Sequence, residues 1–435
     1  MRISVIGCGY LGAVHAACIA SLGHDVVGIE TDPHKIRSLQ NAKAPFFEPS
    51  LPELLAKTST SGRLTFSSNI ASATGARVHF LCVGTPQAAD SYAADLNYVD
   101  AAFGSLLEHL SSGDIIVGKS TVPVGTAERL ASALKEAQPN ASLVWNPEFL
   151  REGFAVEDTL NPDRIVYGID KDDSTSVEIL NTIYAKPIAE GTPVLVTDFA
   201  TAQLVKVAAN SFLATKISFI NAMAELCELA GGDVTQLADA IGHDVRIGRR
   251  FLNAGLGFGG GCLPKDIRAF MARAEELGAD EPLEFLRAVD AINVRRRKHV
   301  ADLALKCVGG DVSGMRVAVL GAAFKPNSDD VRDSPALDVA AQISGFGADV
   351  VVTDPQANDN ARRLQPHLHY VESVEEAVTN ADLVLLLTEW KQFTDLDPMS
   401  VAELVRSPRM IDGRNALDPQ KWRDAGWTYI GLGRP

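Results

Sequence analysis

The feature that most restricts how this chain can fold is a glycine pattern placed between a strand and a helix. The first apolar run is Arg2–Ile6, and Gly7, Gly9 and Gly12 follow it with Gly-x-Gly-x-x-Gly spacing, ahead of a helical pattern that continues to about Leu22. In such a loop the first glycine permits a tight turn, the second lets the backbone approach a pyrophosphate, and the third lets helix and strand pack closely. The opening therefore predicts a Rossmann-like domain that binds a dinucleotide.

The second predicted strand, His24–Glu30, indicates which dinucleotide binds. It ends in a carboxylate, Glu30, which can bond both ribose hydroxyls and repels a 2′-phosphate, so NAD is favoured over NADP. Lys35 lies close enough along the chain to reach the ribose or the adenine, although it could equally be an ordinary surface lysine. The residues predicted to contact NAD here are Gly7, Gly9, Tyr10, Leu11, Gly12, Glu30 and Lys35.

Strand and helix patterns alternate along the first region and again near the end of the chain. Further buried-strand candidates are Val78–Val83, Asp114–Gly118, Arg316–Leu320, Asp349–Asp354 and Ala381–Leu387. The strand at 316–320 also leads into a glycine, Gly321, but the rest of the dinucleotide pattern is missing there. We expect this second half to be a related fold that does not bind a dinucleotide in the same way.

The middle of the chain shows a helical sequence pattern in place of alternating strands and helices. From Asp198 to Ala230 there is no glycine or proline, and apolar residues recur at helical spacing until Gly231 and Gly232. This predicts one helix of about 50 Å that forms a spine and a homodimer interface. The fold class is thus α/β, with two Rossmann-like doubly wound parallel-sheet domains joined by a central helical region with one long helix. The predicted boundaries are 1–196, 197–300 and 301–435.

Composition narrows the function classes. The net charge is −15 and no apolar run is long enough to span a bilayer, which argues against nucleic-acid and membrane partners. The basic run Arg295–Lys298 is interpreted as a solvated helix face. The six cysteines lack CxxC spacing and the histidines lack a ligand pattern, so we predict reduced thiols, a cytoplasmic location and no metal.

One cysteine differs from the other five in its surroundings. Cys262 follows five glycines within Gly255–Gly261 and precedes Leu263, Pro264 and Lys265, which together indicate a helix start. A helix dipole and a nearby ammonium both favour the thiolate. In an NAD enzyme such a thiolate can add to an aldehyde, and oxidation of the thiohemiacetal gives a thioester that water can cleave. The combination predicts oxidation to the acid level.

With these motifs assembled, the chain resembles the UDP-glucose/GDP-mannose dehydrogenase family over essentially its whole length. The motifs that carry the resemblance are Gly7–Gly12, Cys82–Pro86, Ser120–Thr126, Asn146–Gly153, Gly257–Asp266, Phe324–Pro335 and Asp412–Asn415. The resemblance implies a four-electron, NAD-dependent oxidation of a nucleotide sugar at C6, with two NAD reduced and a uronic acid released. Phe251–Gly255 resembles the UDP-glucose branch, so UDP-glucose giving UDP-glucuronate for polysaccharide synthesis is expected. One departure is Gly261, where the family usually has serine.

The resemblance also implies roles for individual residues. Cys262 would be the nucleophile, Lys206 would stabilise an oxyanion, and Glu148 would be the acid/base for hydrolysis; Asp266 and Lys206 are both candidates for the first-step base. Expected catalytic residues are Cys262, Lys206, Asp266, Glu148, Asn210 and Thr121; further expected NAD contacts are Thr85, Thr121, Glu152, Lys265 and Arg332. Expected substrate contacts are Glu148, Phe149, Leu150, Arg151, Glu152, Lys206, Asn210, Arg246, Phe251, Leu252, Asn253, Ala254, Gly255, Gly259, Phe324, Lys325 and Arg414, with Arg246 reaching the substrate of a neighbouring subunit.

Other hypotheses stay open from the sequence. The same chemistry could act on GDP-mannose or a UDP-N-acetylhexosamine. A two-electron hydroxyacid dehydrogenase shares the layout but needs no cysteine. An NAD-binding redox sensor would use Cys262 as the sensed thiol and turn over no sugar.

Overall fold

The computed structural model describes residues 1–279 and 281–435. They divide into two compact units. Unit 1 comprises Met1–Ala209 and Arg268–Gly278, and unit 2 comprises Asn210–Ile267 and Ala279–Pro435. Each unit contains one β-sheet with helices packed on it, so the predicted fold class is confirmed.

Unit 1 contains an eight-stranded sheet. Its strands are β1 (Arg2–Ile6), β2 (Asp25–Ile29), β3 (Leu64–Ser67), β4 (Val78–Leu81), β5 (Ile115–Gly118), β6 (Ser142–Trp145), β7 (Ile165–Gly168) and β8 (Val194–Thr197). Their order is β3-β2-β1-β4-β5-β6-β7-β8. The chain order reverses beside β1, where β1 pairs with β2 on one side and β4 on the other, and ligands of open α/β sheets bind at such a switch point.

Helices cover both faces of this sheet. They are α1 (Tyr10–Ser21), α2 (Pro33–Gln40), α3 (Leu51–Thr60), α4 (Asn97–Leu107), α5 (Thr126–Ala137), α6 (Ala155–Leu160), α7 (Ser174–Ile183) and α8 (Ala185–Ala189). Alternation along the strands divides the core into two clusters, with Ile3 and Val5 in one and Ile6 in the other.

The long central helix α9 (Phe199–Ala230) joins the two sheet domains, and it confirms the helix predicted over 198–230. It persists for 32 residues because its sequence contains no helix breaker before Gly231, whose φ of +74° is the left-handed conformation that favours glycine.

Unit 2 contains a six-stranded parallel sheet. Its strands are β9 (Arg316–Leu320), β10 (Asp349–Thr353), β11 (His369–Tyr370), β12 (Leu383–Leu386), β13 (Arg409–Asp412) and β14 (Thr428–Gly431), in the order β11-β10-β9-β12-β13-β14. The remaining helices are α10 (Val234–Gly242), α11 (Leu263–Glu276), α12 (Glu284–Cys307), α13 (Pro335–Gly345), α14 (Asn358–Leu364), α15 (Val374–Val378), α16 (Lys391–Thr394), α17 (Pro398–Ala402) and α18 (Pro419–Asp424).

Two expectations need correction. The first sheet is not wholly parallel, because β6 and β7 pair in antiparallel fashion through Trp145 and Gly168. The run 295–298 is not a solvated face either: Arg296 and Arg297 are buried, Arg296 beside Glu225 and Glu228, and Arg297 with Nη1 2.7 Å from Asp333. Acidic residues distant in sequence hold these guanidinium groups inside unit 2, and a local charge pattern does not reveal such partners.

In the part of the chain that the structure describes, we find no helix that combines the length and apolarity needed to cross a bilayer.

Candidate functional site

The glycine loop of unit 1 has the geometry that a dinucleotide requires. Gly7 has φ +85°, and a Cβ there would lie 2.7 Å from Cγ1 of Val83. A Cβ on Gly12 would overlap the carbonyl oxygen of Gly7, so both positions are restricted to glycine by packing. Gly9 caps α1 without a side-chain hydrogen bond, and no heavy atom lies within 4 Å of its Cβ position. The loop thus leaves backbone space and helix N–H groups for a pyrophosphate.

The carboxylate predicted to bind ribose stands directly after β2. Glu30 is buried, and its Oε1 accepts a hydrogen bond from the N–H of Asp32 at 2.9 Å. Asp32 in turn caps α2 by accepting from the N–H groups of Lys35 and His34, and these bonds lower the pKa of its carboxyl. Lys35 is exposed on the first turn of that helix.

A buried carboxylate that the sequence analysis missed joins the glycine loop to the segment 151–155. Glu48 is 2% exposed. Its Oε2 accepts from the hydroxyl of Tyr10 and from the N–H of Gly153 at 2.6 Å, and its Oε1 accepts from the N–H of Ala155 at 2.6 Å. Burial nevertheless raises the pKa of Glu48. The sequence offered one sign of this role, because Glu48 is the only charged residue in the segment 44–51.

Two threonines lie after neighbouring parallel strands, at the carboxyl edge of the sheet. Thr85 follows β4 and Thr121 follows β5, and the Thr85 hydroxyl donates to the carbonyl of Thr121 at 2.8 Å. Ser120 donates to the carbonyl of Val83 at 2.6 Å. These bonds connect the two loops at the edge where the glycine loop also lies.

The segment around Glu148 forms the other part of this edge. Residues 146–154 are irregular, and α6 begins only at Ala155. Glu148 is paired with Lys119, whose ammonium is 3.1 Å from Oε2. The sequence analysis also missed Lys119. A lysine directly after a buried strand is usually expected to extend into solvent, whereas this one is buried.

The residues that follow Glu148 differ in burial and in their charged neighbours. The Phe149 ring lies close to two cations, with the Arg164 guanidinium 3.8 Å and the Lys206 ammonium 5.6 Å from its centroid. Arg151 is bound by Asp158 at 2.7 Å, so this predicted substrate contact is held by a structural ion pair. Leu150 packs on the core and Glu152 is buried.

The predicted nucleophile lies in unit 2. Cys262 is exposed and immediately precedes α11; its carbonyl accepts the N–H of Asp266 at 2.9 Å, which places it at the helix N-terminus. Asp266 is 2% exposed and accepts from two sides: Lys265 Nζ at 2.6 Å on Oδ1, and Asn210 Nδ2 at 2.7 Å on Oδ2. Unit 2 thus brings Cys262, Lys265, Asp266 and Asn210 together. A carboxylate and a cation in the first turn of the helix that follows the cysteine are fixed to each other and to an amide on α9.

The glycine run before this cysteine lies directly against the last region of the chain. Gly257 and Gly260 have φ of +104° and +84°, and a Cβ on Gly260 would lie 2.8 Å from the Phe324 ring. A Cβ on Gly259 would overlap the carbonyl oxygen of Asp333. The run is therefore glycine-rich because neighbouring backbone and rings approach it closely.

The remaining predicted substrate contacts of unit 2 differ in burial and in their hydrogen-bond partners. Arg414 donates to the carbonyls of Leu387 at 2.8 Å and Phe324 at 2.9 Å and pairs with Glu389 at 3.2 Å, so its guanidinium connects loops within the unit. Leu252 and Ala254 are buried in a small core, and Phe251 is partly exposed with φ +66°. Asn253 accepts a hydrogen bond from Arg249, and Gly255 donates one to Asn221. The Lys325 ammonium lies 5.1 Å from the centroid of the Phe324 ring, Arg246 is exposed and paired with Asp244, and Arg332 is paired with Asp330.

Comparison with protein-family models gives three consecutive matches. Residues 1–188 match the NAD binding domain of the UDP-glucose/GDP-mannose dehydrogenase family, residues 200–295 its central domain, and residues 318–419 its UDP binding domain. Together they span most of the chain.

Whole-length relatives agree with these matches. The chain is 40% identical to the UDP-glucose 6-dehydrogenase of Rhizobium meliloti, covering all of both chains, and 42% identical to the UDP-glucose 6-dehydrogenase TuaD of Bacillus subtilis, covering all of this chain and 93% of that one. Among solved structures, a UDP-glucose dehydrogenase from Pyrobaculum islandicum is 38% identical, with a TM-score of 0.90 over 100% of this chain and 98% of that one. A UDP-D-ManNAc dehydrogenase from Pyrococcus horikoshii is 26% identical, with a TM-score of 0.86 over 100% and 99%.

Proposed function

The chain belongs to the UDP-glucose/GDP-mannose dehydrogenase family, and from this premise we propose that it is a UDP-glucose 6-dehydrogenase. The reaction converts UDP-glucose, two NAD and water into UDP-glucuronate and two NADH. The observation that carries the proposal is the exposed Cys262 at the start of α11, with Asp266, Lys265 and Asn210 fixed next to it. A two-electron alcohol oxidation has no use for a thiol, whereas oxidation to an acid does.

NAD, when bound at the glycine loop, accepts hydride in each of the two oxidations. The sulfur of Cys262 adds to the C6 aldehyde, and the resulting thiohemiacetal carries the hydrogen that leaves in the second oxidation. Its product is a thioester. Water adds to the thioester carbonyl, the C–S bond breaks, and the sulfur departs with the bonding pair as thiolate while the acid is released. The helix N-terminus at Cys262 favours that thiolate in the first and last steps.

Supporting roles follow the resemblance and stay predictions. We propose that Lys206, Asn210, Thr121 and Glu148 act on the reacting C6 group, and that Asp266 or Lys206 takes the first proton. The ion pair of Asp266 with Lys265 supports Asp266 as a charged, fixed group. The other predicted NAD and sugar contacts are proposed on the same basis.

The test is NADH release at 340 nm with limiting nucleotide sugar. We expect two NADH per UDP-glucose, and Cys262→Ala should remove the second. A yield near one NADH that Cys262→Ser retains in full would favour a two-electron hydroxyacid dehydrogenase. Two NADH from GDP-mannose or a UDP-N-acetylhexosamine, and none from UDP-glucose, would keep the mechanism and change the substrate. NAD binding without turnover of any sugar would favour the redox sensor.

We also propose a homodimer formed through α9. Phe212, Phe219, Leu226 and Leu229 are between 48% and 87% exposed and recur at seven-residue and three-residue spacing, which makes an apolar stripe along the helix. Sedimentation should give twice the 46.4 kDa chain mass, and Phe219→Asp should shift it toward the monomer, whereas Lys186→Asp, an exposed position on α8 and away from α9, should not. A wild-type monomer at micromolar concentration would contradict the proposal.

A cytoplasmic location and the domain boundaries 1–196, 197–300 and 301–435 stay predictions. The six cysteines are thiols, which fits a reducing compartment. Limited proteolysis at the two boundaries and fractionation of cells would check both.

A further inference from the structure

Lys119, which is not among the predicted site residues, forms an ion pair with Glu148. Lys119 follows β5 directly and is 4% exposed. Its ammonium lies 3.1 Å from Glu148 Oε2, 3.0 Å from Asn146 Oδ1 and 3.4 Å from the Tyr184 hydroxyl. A buried ammonium is strongly unfavourable without a partner of opposite charge and further acceptors. This cluster supplies both.

The other titratable groups around the pair are uncharged at neutral pH. Burial lowers the pKa of His15 and raises the pKa of each nearby thiol and phenol, that of Cys82 to about 12. These groups come from α1, from the end of β4, from β7 and from the residue between α7 and α8: His15, Cys18, Cys82, Tyr167 and Tyr184. Glu48 is a further charged neighbour of Cys18, and Arg164 and Lys206 lie on the ring of Phe149. The charge that balances Lys119 is therefore that of Glu148.

The same carboxylate is also fixed in direction. While Oε2 faces Lys119, Oε1 accepts the N–H groups of Phe149 at 2.8 Å and Leu150 at 3.1 Å. These bonds, with the one to Lys119, fix both oxygens of the carboxylate. Its side chain keeps 16% exposure, so water can still reach it.

We propose that Lys119 is a positioning residue that holds the Glu148 carboxylate in the orientation needed by the proton acceptor of the hydrolytic step. The proposal rests on the proposed function. Water bonds to the thioester carbonyl carbon, its proton passes to Glu148, and the Cys262 sulfur leaves with the C–S bonding pair. Lys119 holds the carboxylate and transfers no proton. Both oxygens of Glu148 face donors, Oε2 the Lys119 ammonium and Oε1 two backbone N–H groups, so the side chain is arranged as an acceptor.

The first experiment measures kinetics of Lys119→Met, with Lys186→Met, an exposed lysine of α8, as the matched control. We expect the steady-state rate to fall roughly 10- to 100-fold, within the about 10²–10⁴ that a general base supplies. The first, pre-hydrolysis release of NADH should be nearly unchanged, because Lys119 acts through Glu148 on the hydrolytic step alone. Lys119→Gln, which keeps a donor to Glu148 and Asn146, should show the same split between the two rates if Lys119→Met does not fold. An unchanged steady-state rate in both variants, or an equal loss in the first NADH release, would overturn the proposal.

The second experiment is a double-mutant cycle in urea that needs no substrate. Lys119→Met and Glu148→Gln should each destabilise the chain, because each leaves a buried partner unbalanced, and the double variant should be more stable than the sum of the two losses predicts. Additive losses would contradict the pairing. If the wild-type chain oxidises no nucleotide sugar, the proposed function fails and the catalytic role fails with it, whereas the urea cycle still decides whether Lys119 holds Glu148.

Discussion

The guanidinium of Arg332 occupies the space in which a side chain at Gly261 would begin. A Cβ added to Gly261 would lie 2.5 Å from Nη1 and 2.6 Å from Nη2 of Arg332. The same arginine accepts the N–H of Gly260 on its carbonyl at 3.0 Å and pairs with Asp330 at 2.7 Å. The family usually has serine at position 261, next to the predicted nucleophile. In this chain the Arg332 guanidinium fills the space that the serine side chain would need.

Restoring serine at position 261 should therefore displace Arg332. We expect Gly261→Ser to destabilise the chain by no more than about 1 kcal/mol, because the atoms in its way are the far end of an exposed, flexible side chain that can move. Gly104→Ser is the matched control, because a Cβ at Gly104 meets no atom within 4 Å. Urea unfolding measures both. In an Arg332→Ala background the Gly261→Ser loss should largely disappear, and an equal loss there would show that Arg332 is not the obstacle.

Alkylation should select Cys262 from the six cysteines. Burial raises the pKa of Cys8, Cys18, Cys82 and Cys227, and also that of the half-buried Cys307, whereas Cys262 is exposed. At pH 7 and limiting iodoacetamide we expect peptide mass spectrometry to find the label on Cys262 first, at least about tenfold faster than elsewhere. The Cys262→Ala chain is the control. Labelling of Cys307 at a similar rate would contradict the reactivity inferred from its position.

Glu30 should determine which coenzyme is used. Its carboxylate stands at the ribose position after β2, so Glu30→Ala should weaken NAD binding and remove the repulsion that excludes a 2′-phosphate. We expect the ratio of kcat/KM for NAD to that for NADP to fall by about 10-fold or more, an energy of about 1.4 kcal/mol. Glu53→Ala, an exposed acid on α3, should leave the ratio unchanged. A constant ratio in Glu30→Ala would place the ribose elsewhere.

Glu48 should make stability depend on pH with a defined sign. Burial raises its pKa in the folded chain above the ordinary glutamate value, despite the hydrogen bonds that favour ionisation. The folded state therefore holds this proton more tightly than the unfolded state, and the contribution of Glu48 to stability declines as pH rises from about 4.5 through its folded pKa. Relative to Glu48→Gln, the free energy of unfolding of the wild type should fall as pH rises from about 4.5 through the folded pKa of Glu48, which buffered urea titrations measure. Parallel curves for the two chains would contradict this, and Tyr10→Phe should keep the wild-type slope direction.

The sequence predicted those parts of the molecule that depend on local patterns. The helix expected from Asp198 spans Phe199–Ala230 because an uninterrupted apolar periodicity determines a helix locally, and Gly7 and Gly12 have the strained or crowded positions that their spacing predicted. Cys262 was identifiable because its glycines and its helix start are adjacent to it in sequence.

Contacts between distant residues were not predictable in this way. Glu48 bonds Gly153, 105 residues away, and Lys119 bonds Tyr184, 65 residues away. Arg414, expected to contact the substrate, also donates to the carbonyls of Leu387 and Phe324, 27 and 90 residues away. A single sequence shows which residue types are present but not which of them come close together in space. The order of the strands in the sheet determines that.

The bonds of Glu48 to 153 and 155 have a consequence for how this protein can change over generations. Both partners are main-chain N–H groups, which almost every amino acid possesses. The bond at position 155 therefore does not depend on which side chain stands there, although Ala155 is itself buried in the core and leaves little room for a larger one. Gly153, at φ +80°, is limited by backbone conformation. Selection at this point should act on the single carboxylate, on the backbone freedom of 153 and on the side-chain size at 155.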